Sequence, residues 1–264
     1  VDDFLKIRFK NSRGVSARQK LAVQFGVAAA MFGLMYSGML GETLADTRLY
    51  LPFADARSWF VTLSPWIYAS LACFCVVGTS NAVNLTDGLD GLAIGPVIVA
   101  SATFLVLCYL SGASFGFPVE GEIHRFVVSD YLLIPKVVGV QELAVLMAAM
   151  IGAGIGFLWY NTYPAQVFMG DVGALALGGT LGTVAVLSKN ELLSVIIGGI
   201  FVIEAVSVIT QTTSYKLTGK RVFRMAPIHH HYEKKGWPEP RVTVRFWIIS
   251  IIPALLALSS LKLR

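Results

Sequence analysis

The chain has 264 residues, of which 55% are hydrophobic and only 14% charged, and its mean hydropathy is +0.68. Soluble domains carry about 25% charged residues, so this composition excludes an ordinary soluble protein and specifies a polytopic helical membrane protein. The net charge of +5 fits the Lys and Arg bias of cytoplasmic loops, with no need to invoke nucleic acid.

The chain opens on Val1-Asp2-Asp3, with no initiator Met and no short apolar leader, and is read as the C-terminal part of a longer protein. Residues 1–20 are basic, carrying Lys6, Arg8, Lys10, Arg13, Arg18 and Lys20. Leu21–Leu40 is the first run of the roughly 20 apolar residues that a bilayer requires. A polar loop follows at 41–63. Pro65–Val77 leads into a polar stretch at 78–91, and Leu92–Leu110 leads out of it. Residues 111–141 form a second long loop, whose alternating segments fit a short hairpin or an interfacial helix. Further spans are expected at Leu143–Tyr160, Val172–Leu187, Leu192–Thr212 and Val244–Leu261. A polar break at 161–171, a turn at 189–191 and a basic loop at 213–241 separate them. The expected fold is all-α, about seven transmembrane helices in a single transmembrane domain, 1–264, with no soluble domain and no repeat.

Orientation follows from Lys and Arg. With residues 1–20 inside, the inner segments carry 14 of the 21 and the outer ones seven, which places the N-terminal side in the cytoplasm. On that topology Asp2, Asp3, Asp87, Asp90 and Asp171 share the cytoplasmic face, whereas Asp46, Asp55 and Asp130 lie outside. Cys73, Cys75 and Cys108 all fall in apolar runs, which argues against a disulfide framework, and no C-x-x-C pair is present for zinc.

The polar stretch Gly78-Thr-Ser-Asn-Ala-Val-Asn-Leu-Thr-Asp-Gly-Leu-Asp-Gly91 sits between two hydrophobic runs. Polar groups there cost several kcal/mol each unless they meet water, protein or a ligand, so the stretch reads as the floor of a site at the membrane surface. Asp87 and Asp90 taken alone fit helix capping equally well. The five inner aspartates together, with Asn81, Asn84 and Asn161, supply hard oxygen ligands suited to Mg²⁺. Met225-Ala-Pro-Ile-His-His-His-Tyr-Glu233 holds three of the four histidines. Consecutive positions cannot face one way on a helix, so this run by itself does not make a zinc site. The surrounding Lys216, Lys220, Arg221, Arg224, Lys234, Lys235 and Arg241 suit a phosphate or pyrophosphate, or an anionic lipid surface. Phe168, three residues before Asp171, can stack on a base or anchor at the interface. The glycine pairs at 178–179 and 198–199 suit helix packing better than nucleotide binding, and no Walker A pattern is present. Glu204 is the one acid deep in a span, with no partner legible in the sequence.

Asp2-Asp3, N-A-V-N-L-T-D-G-L-D-G-L-A at 81–93, N-T-Y-P-A-Q-V-F-M-G-D at 161–171 and M-A-P-I-H-H-H-Y-E at 225–233 resemble the polyprenyl-phosphate N-acetylhexosamine-1-phosphate transferases. The resemblance runs over the whole chain. The last motif, with Gly236-Trp-Pro-Glu-Pro240 after it, is similar to the branch that transfers phospho-MurNAc-pentapeptide from UDP-MurNAc-pentapeptide to undecaprenyl phosphate, giving lipid I and UMP. The resemblance implies a Mg²⁺-dependent enzyme of the bacterial cytoplasmic (inner) membrane, working on the cytoplasmic face, with a ten-helix fold and a homodimeric assembly. It implies that about three N-terminal helices precede the residues given. By motif, Asp2 resembles the residue acting at the lipid phosphate or the reacting phosphorus, and Asp3 its neighbour. Asp171 resembles the Mg²⁺ ligand. Gly88, Leu89, Asp90 and Phe168 resemble a uridine pocket. Asn84, Asp87, Asn161, Gln211, His229, His230 and His231 match other site positions, and Lys6, Arg18 and Lys20 match basic residues near the phosphates. The competing expectations are a sister enzyme transferring GlcNAc-1-phosphate, which the 225–233 motif disfavours, and an ion-coupled transporter. A transporter would need acids at mid-membrane, where only Glu204 lies.

Overall fold

The computed structural model describes residues 16–37, 39, 46–119 and 122–261. Asp2, Asp3 and Lys6 lie outside the described residues. The described part is helical with two short hairpins. Helix α1 is Ala17–Tyr36, opened by a capping box in which Ser16 and Gln19 serve each other's backbone N–H groups. Then come α2 (Pro65–Thr86), α3 (Ile94–Gly112), the short α4 (Val128–Leu132), α5 (Leu143–Asn161), α6 (Gly170–Leu187), α7 (Glu191–Ile197), α8 (Gly199–Thr218), the single-turn α9 (Ile228–Glu233) and α10 (Glu239–Ser259).

Among the described residues, five helices are long and apolar enough to cross a membrane, and six if α7 and α8 count as one broken span. The expectation of about seven differs at two places. α1 has the length, 20 residues, but Arg18, Gln19, Lys20 and Gln24 occupy its first turns and dilute its hydropathy. The expected Leu192–Thr212 span is bent by 85° at Gly198. Paired glycines are the poorest helix formers short of proline, and the backbone changes direction where they fall. Large apolar side chains such as Trp66, Val145, Trp159 and Ile252 remain exposed around the bundle, an arrangement that suits lipid and not water.

A second correction concerns the polar stretch. The sequence places it between two spans, but its first half is helix. α2 continues to Thr86 because its polar side chains find partners along it: Asn81 Nδ2 donates to the Val77 carbonyl at 2.8 Å and Thr86 Oγ1 to that of Ala82 at 2.8 Å. The loop proper is 87–93.

α2 packs along α6, α3 along α5, and α1 along α2, while α10 lies against α3 and α7. The α2–α6 approach is close because Gly178 and Gly182 face it; a Cβ at Gly178 would lie 2.6 Å from the Thr79 carbonyl oxygen. Small residues let helix backbones meet where burial from water supplies no driving force. Val83, Leu92, Val97, Met147, Leu181 and Val242 lie in the main core.

Polar contacts gather at the two ends of the bundle. At one end, strands Arg48–Tyr50 and Phe60–Thr62 form one hairpin and Ser114–Val119 and Glu122–Val127 another. The hairpin that residues 111–141 allowed occurs, and the short helix α4 follows it. Arg57 reaches Asp130 at 3.4 Å, and Lys189 donates to Tyr68, whose hydroxyl donates to Glu191. The segments at this end are those assigned outside by the Lys and Arg distribution. Those assigned inside meet at the other end.

Candidate active site

The site is built where α2 stops. Asp87 is the C-cap of α2, not an N-cap of α3, whose cap position is Ala93; the capping reading of Asp87 and Asp90 is therefore set aside. Burial, and then the Asp171 carboxylate, push the Asp87 carboxyl up to about 6. Asp171 lies in the first turn of α6, where a negative charge suits the helix N-terminus. It is about half exposed, 54%, and pairs with Lys20 Nζ at 3.2 Å. Thus two carboxylates distant in sequence feel each other, with an α1 lysine beside one of them. No group of three or more His, Cys, Asp or Glu able to hold a metal forms among the described residues.

The remaining loop residues hold one another. Asp90 Oδ2 accepts from the Ala165 N–H at 2.8 Å, and its own N–H donates to Glu239 at 2.7 Å. Asn161 is buried; its Oδ1 accepts from the Gly91 N–H at 3.0 Å and its Nδ2 donates to the Val167 carbonyl at 2.8 Å. These bonds tie the 87–93 loop to the 162–169 loop. Phe168 stands on the latter, 74% exposed, with its ring free of the core. Leu89 packs on the core, and Asn84 is half-buried on the last turn of α2, its carbonyl accepting from the Asp87 N–H. Arg18 is exposed on the first turn of α1.

The three consecutive histidines diverge. His229 is fully buried, with Nδ1 3.1 Å from Glu204 Oε1. Its ring lies against Gly88, where a Cβ would be 2.3 Å from Nε2, so only glycine fits. His230 pairs with Glu233 on its own turn. His231 Nδ1 accepts from the Arg224 N–H at 3.0 Å. Burial, with Lys235 and Arg224 nearby, lowers its pKa and favours the neutral ring. Gln211 accepts from Val222 and Phe223 N–H groups and donates to the Phe223 carbonyl, which fastens the 219–227 loop to α8. Asp87, Gly88, Asp90, Asn161, Asp171 and His229 thus share one end, whereas Gln211 and His231 bond to the backbone of the 219–227 loop and His230 pairs with Glu233 within α9. Sequence reasoning missed Glu239, whose only signal is its place after Pro238, and the Glu204–His229 pair, because 25 residues of chain separate the partners.

A family model described as glycosyl transferase family 4 matches residues 1–189. Over 100% of this chain, a phospho-N-acetylmuramoyl-pentapeptide-transferase of Sorangium cellulosum is 58% identical, and the match covers 69% of that relative. One of Myxococcus xanthus is 53% identical, and one of Citrifermentans bemidjiense 54%, with 70% and 68% of those relatives covered. The chain belongs to the phospho-N-acetylmuramoyl-pentapeptide-transferase family. Within that family its described part is a multi-pass helical membrane protein, and its motifs at 81–93, 161–171 and 225–233 all lie at the end of the bundle where Asp87 and Asp171 meet. The relatives' names favour this branch over the sister GlcNAc-1-phosphate transferases.

Proposed function

We propose that this chain transfers phospho-MurNAc-pentapeptide from UDP-MurNAc-pentapeptide to undecaprenyl phosphate, yielding lipid I and UMP for peptidoglycan synthesis. The reaction is placed at the cytoplasmic face of the bacterial inner membrane, in line with the Lys and Arg distribution, and the homodimer implied by the family belongs to the same reading. The observation that carries it is the meeting of Asp87, Asp171 and Lys20 from three separate segments at one membrane end. Phosphoryl transfer asks for charge neutralisation and alignment more than for covalent help from the protein.

Mg²⁺ fits these residues. Asp171, with Asp87 beside it, offers hard oxygen atoms, and the repulsion that disfavours ionising Asp87 is what a divalent cation relieves. When bound there, the ion would neutralise pyrophosphate charge. Lys20 and Arg18 add positive charge on the α1 side. Phe168 is free to stack on uracil, and the bonds from Asp90 and Asn161 hold its loop in place. By the family resemblance, Asp2 would act at the lipid phosphate or the reacting phosphorus, with Asp3 as its neighbour and Lys6 near the phosphates.

The test is UMP release from the membrane-embedded protein, given undecaprenyl phosphate with either UDP-MurNAc-pentapeptide or UDP-GlcNAc. UMP is expected with the first sugar, dependent on Mg²⁺, and its loss is expected in folded Asp171→Asn. Turnover of UDP-GlcNAc alone would transfer the chain to the sister activity.

A further inference from the structure

The Glu204–His229 pair is the feature the site description leaves unexplained. Glu204 sits in α8 among apolar residues, and both side chains have no solvent exposure. Glu204 Oε1 lies 3.1 Å from His229 Nδ1, whereas Glu204 Oε2 and His229 Nε2 have no hydrogen-bond partner among the described residues. A buried polar atom without a partner costs about 1–3 kcal/mol, so its presence calls for a reason. His229 Nε2 is aimed at Gly88, the exposed residue next to Asp87, and the ring fills the room a side chain at position 88 would take.

Proton counting sets what Nε2 presents. A net charge on a fully buried pair within an apolar helix is costly, so the pair is expected to be neutral overall. Two arrangements are neutral: a carboxylate facing an imidazolium, or a carboxylic acid donating to Nδ1 of a neutral ring. In both, Nε2 carries a hydrogen. Only a net-negative pair would leave a lone pair there.

We propose that Glu204 is a positioning residue that holds His229 as an Nε2–H donor for a phosphate oxygen bound over the Gly88 face of the 87–93 loop. The oxygen belongs either to the pyrophosphate of the nucleotide sugar or to the lipid phosphate. This inference rests on the phosphoryl-transfer reading given above. It accounts for the orphan Nε2, for the glycine at 88 and for an acid placed inside an apolar helix.

Two measurements test it. In protein labelled with ¹⁵N-histidine, with the signal assigned by its loss in His229→Phe, Nε2 is expected to bear the proton that a donor requires. An unprotonated Nε2 overturns the proposal, whether or not the protein turns over substrate. The second measurement is UMP release by Glu204→Met, which has similar volume and no hydrogen-bonding group, and by Glu204→Gln, whose amide can still donate to Nδ1 and keep the hydrogen on Nε2. Turnover is expected to fall roughly ten- to a hundredfold in the Met variant, the worth of one hydrogen bond to a charged group, and to recover largely in the Gln variant. A KM increase for the nucleotide sugar alone assigns the oxygen to the pyrophosphate. A KM increase for undecaprenyl phosphate alone assigns it to the lipid. A fall in kcat alone assigns it to the transition state. Equal turnover of folded Met variant and wild type overturns the proposal. If the Met variant does not fold, the proton measurement and the Gln variant decide. A wild type that releases no UMP defeats the functional reading while leaving the proton measurement intact.

Discussion

Asp87 shows how one residue's surroundings set what it can bind. Its carboxyl is raised from 3.8 to about 6, first by burial and second by Asp171. A raised carboxyl favours the folded state while it is protonated. That contribution is complete below pH 3.8 and is lost as the pH climbs through about 6. In metal-free buffer, therefore, thermal unfolding of the wild type should move to lower temperature between those pH values relative to Asp87→Asn, and added Mg²⁺ should restore it. Parallel pH profiles for the two proteins would count against the strained pair. Phe168 poses a separate question at the same scale, since its ring is exposed and unsupported by the core. Stacking on a base is worth about 1–3 kcal/mol, so Phe168→Ala should raise the KM for the nucleotide sugar roughly five- to a hundredfold and leave that for the lipid unchanged. An unaltered nucleotide KM would remove Phe168 from the base pocket.

Between elements, the contact that places Asp87 beside Asp171 is the packing of α2 on α6. Gly178 and Gly182 set its distance, since a Cβ at Gly178 would meet the Thr79 carbonyl oxygen at 2.6 Å and Ser80 Cα at 2.8 Å. Those are backbone atoms and cannot turn aside. Gly178→Ala should therefore force the helices apart, cost about 1–3 kcal/mol and lower the unfolding temperature by several degrees. Gly156→Ala, inside α5 where nothing lies within 4 Å, serves as the control and should melt at or slightly above the wild type, since Ala is the better helix former. Equal melting of the two variants would show that the α2–α6 approach is not set by its small residues.

For the molecule as a whole, the two polar ends agree with the division made by Lys and Arg. Residues 46–63, 111–141 and 189–191 meet at one end. The N-terminal part of α1, the 87–93 and 162–169 loops and residues 213–241 meet at the other. Ser58 and Gly219 are both exposed, one at each end. Cysteines introduced at these two positions should be labelled by an impermeant reagent from opposite sides of the membrane, with position 219 reached from the cytoplasm. Labelling from one side would undo both the topology and the cytoplasmic site.

Composition and periodicity by themselves determined that the chain is a helical membrane protein, where most spans run, and which segments share an end. A bilayer imposes length and hydropathy on each helix separately, and loop charge sorts the ends, so these features are local in sequence. The motifs at 81–93, 161–171 and 225–233 likewise marked, without a structure, three segments that come together at one end of the bundle. Tertiary structure alone decided the rest, because it depends on which distant groups become neighbours. It carried α2 through the polar stretch to Thr86, where side chains satisfied one another along the helix. It bent the expected Leu192–Thr212 span at Gly198. It sent three adjacent histidines to three different partners, turned Gln211 of α8 toward the backbone of the 219–227 loop, and tied Asn161 at the end of α5 to the backbone of the 87–93 loop. The partner of Glu204 was invisible in the chain for the same reason: a loop and a short helix turn had to fold back before His229 could reach it.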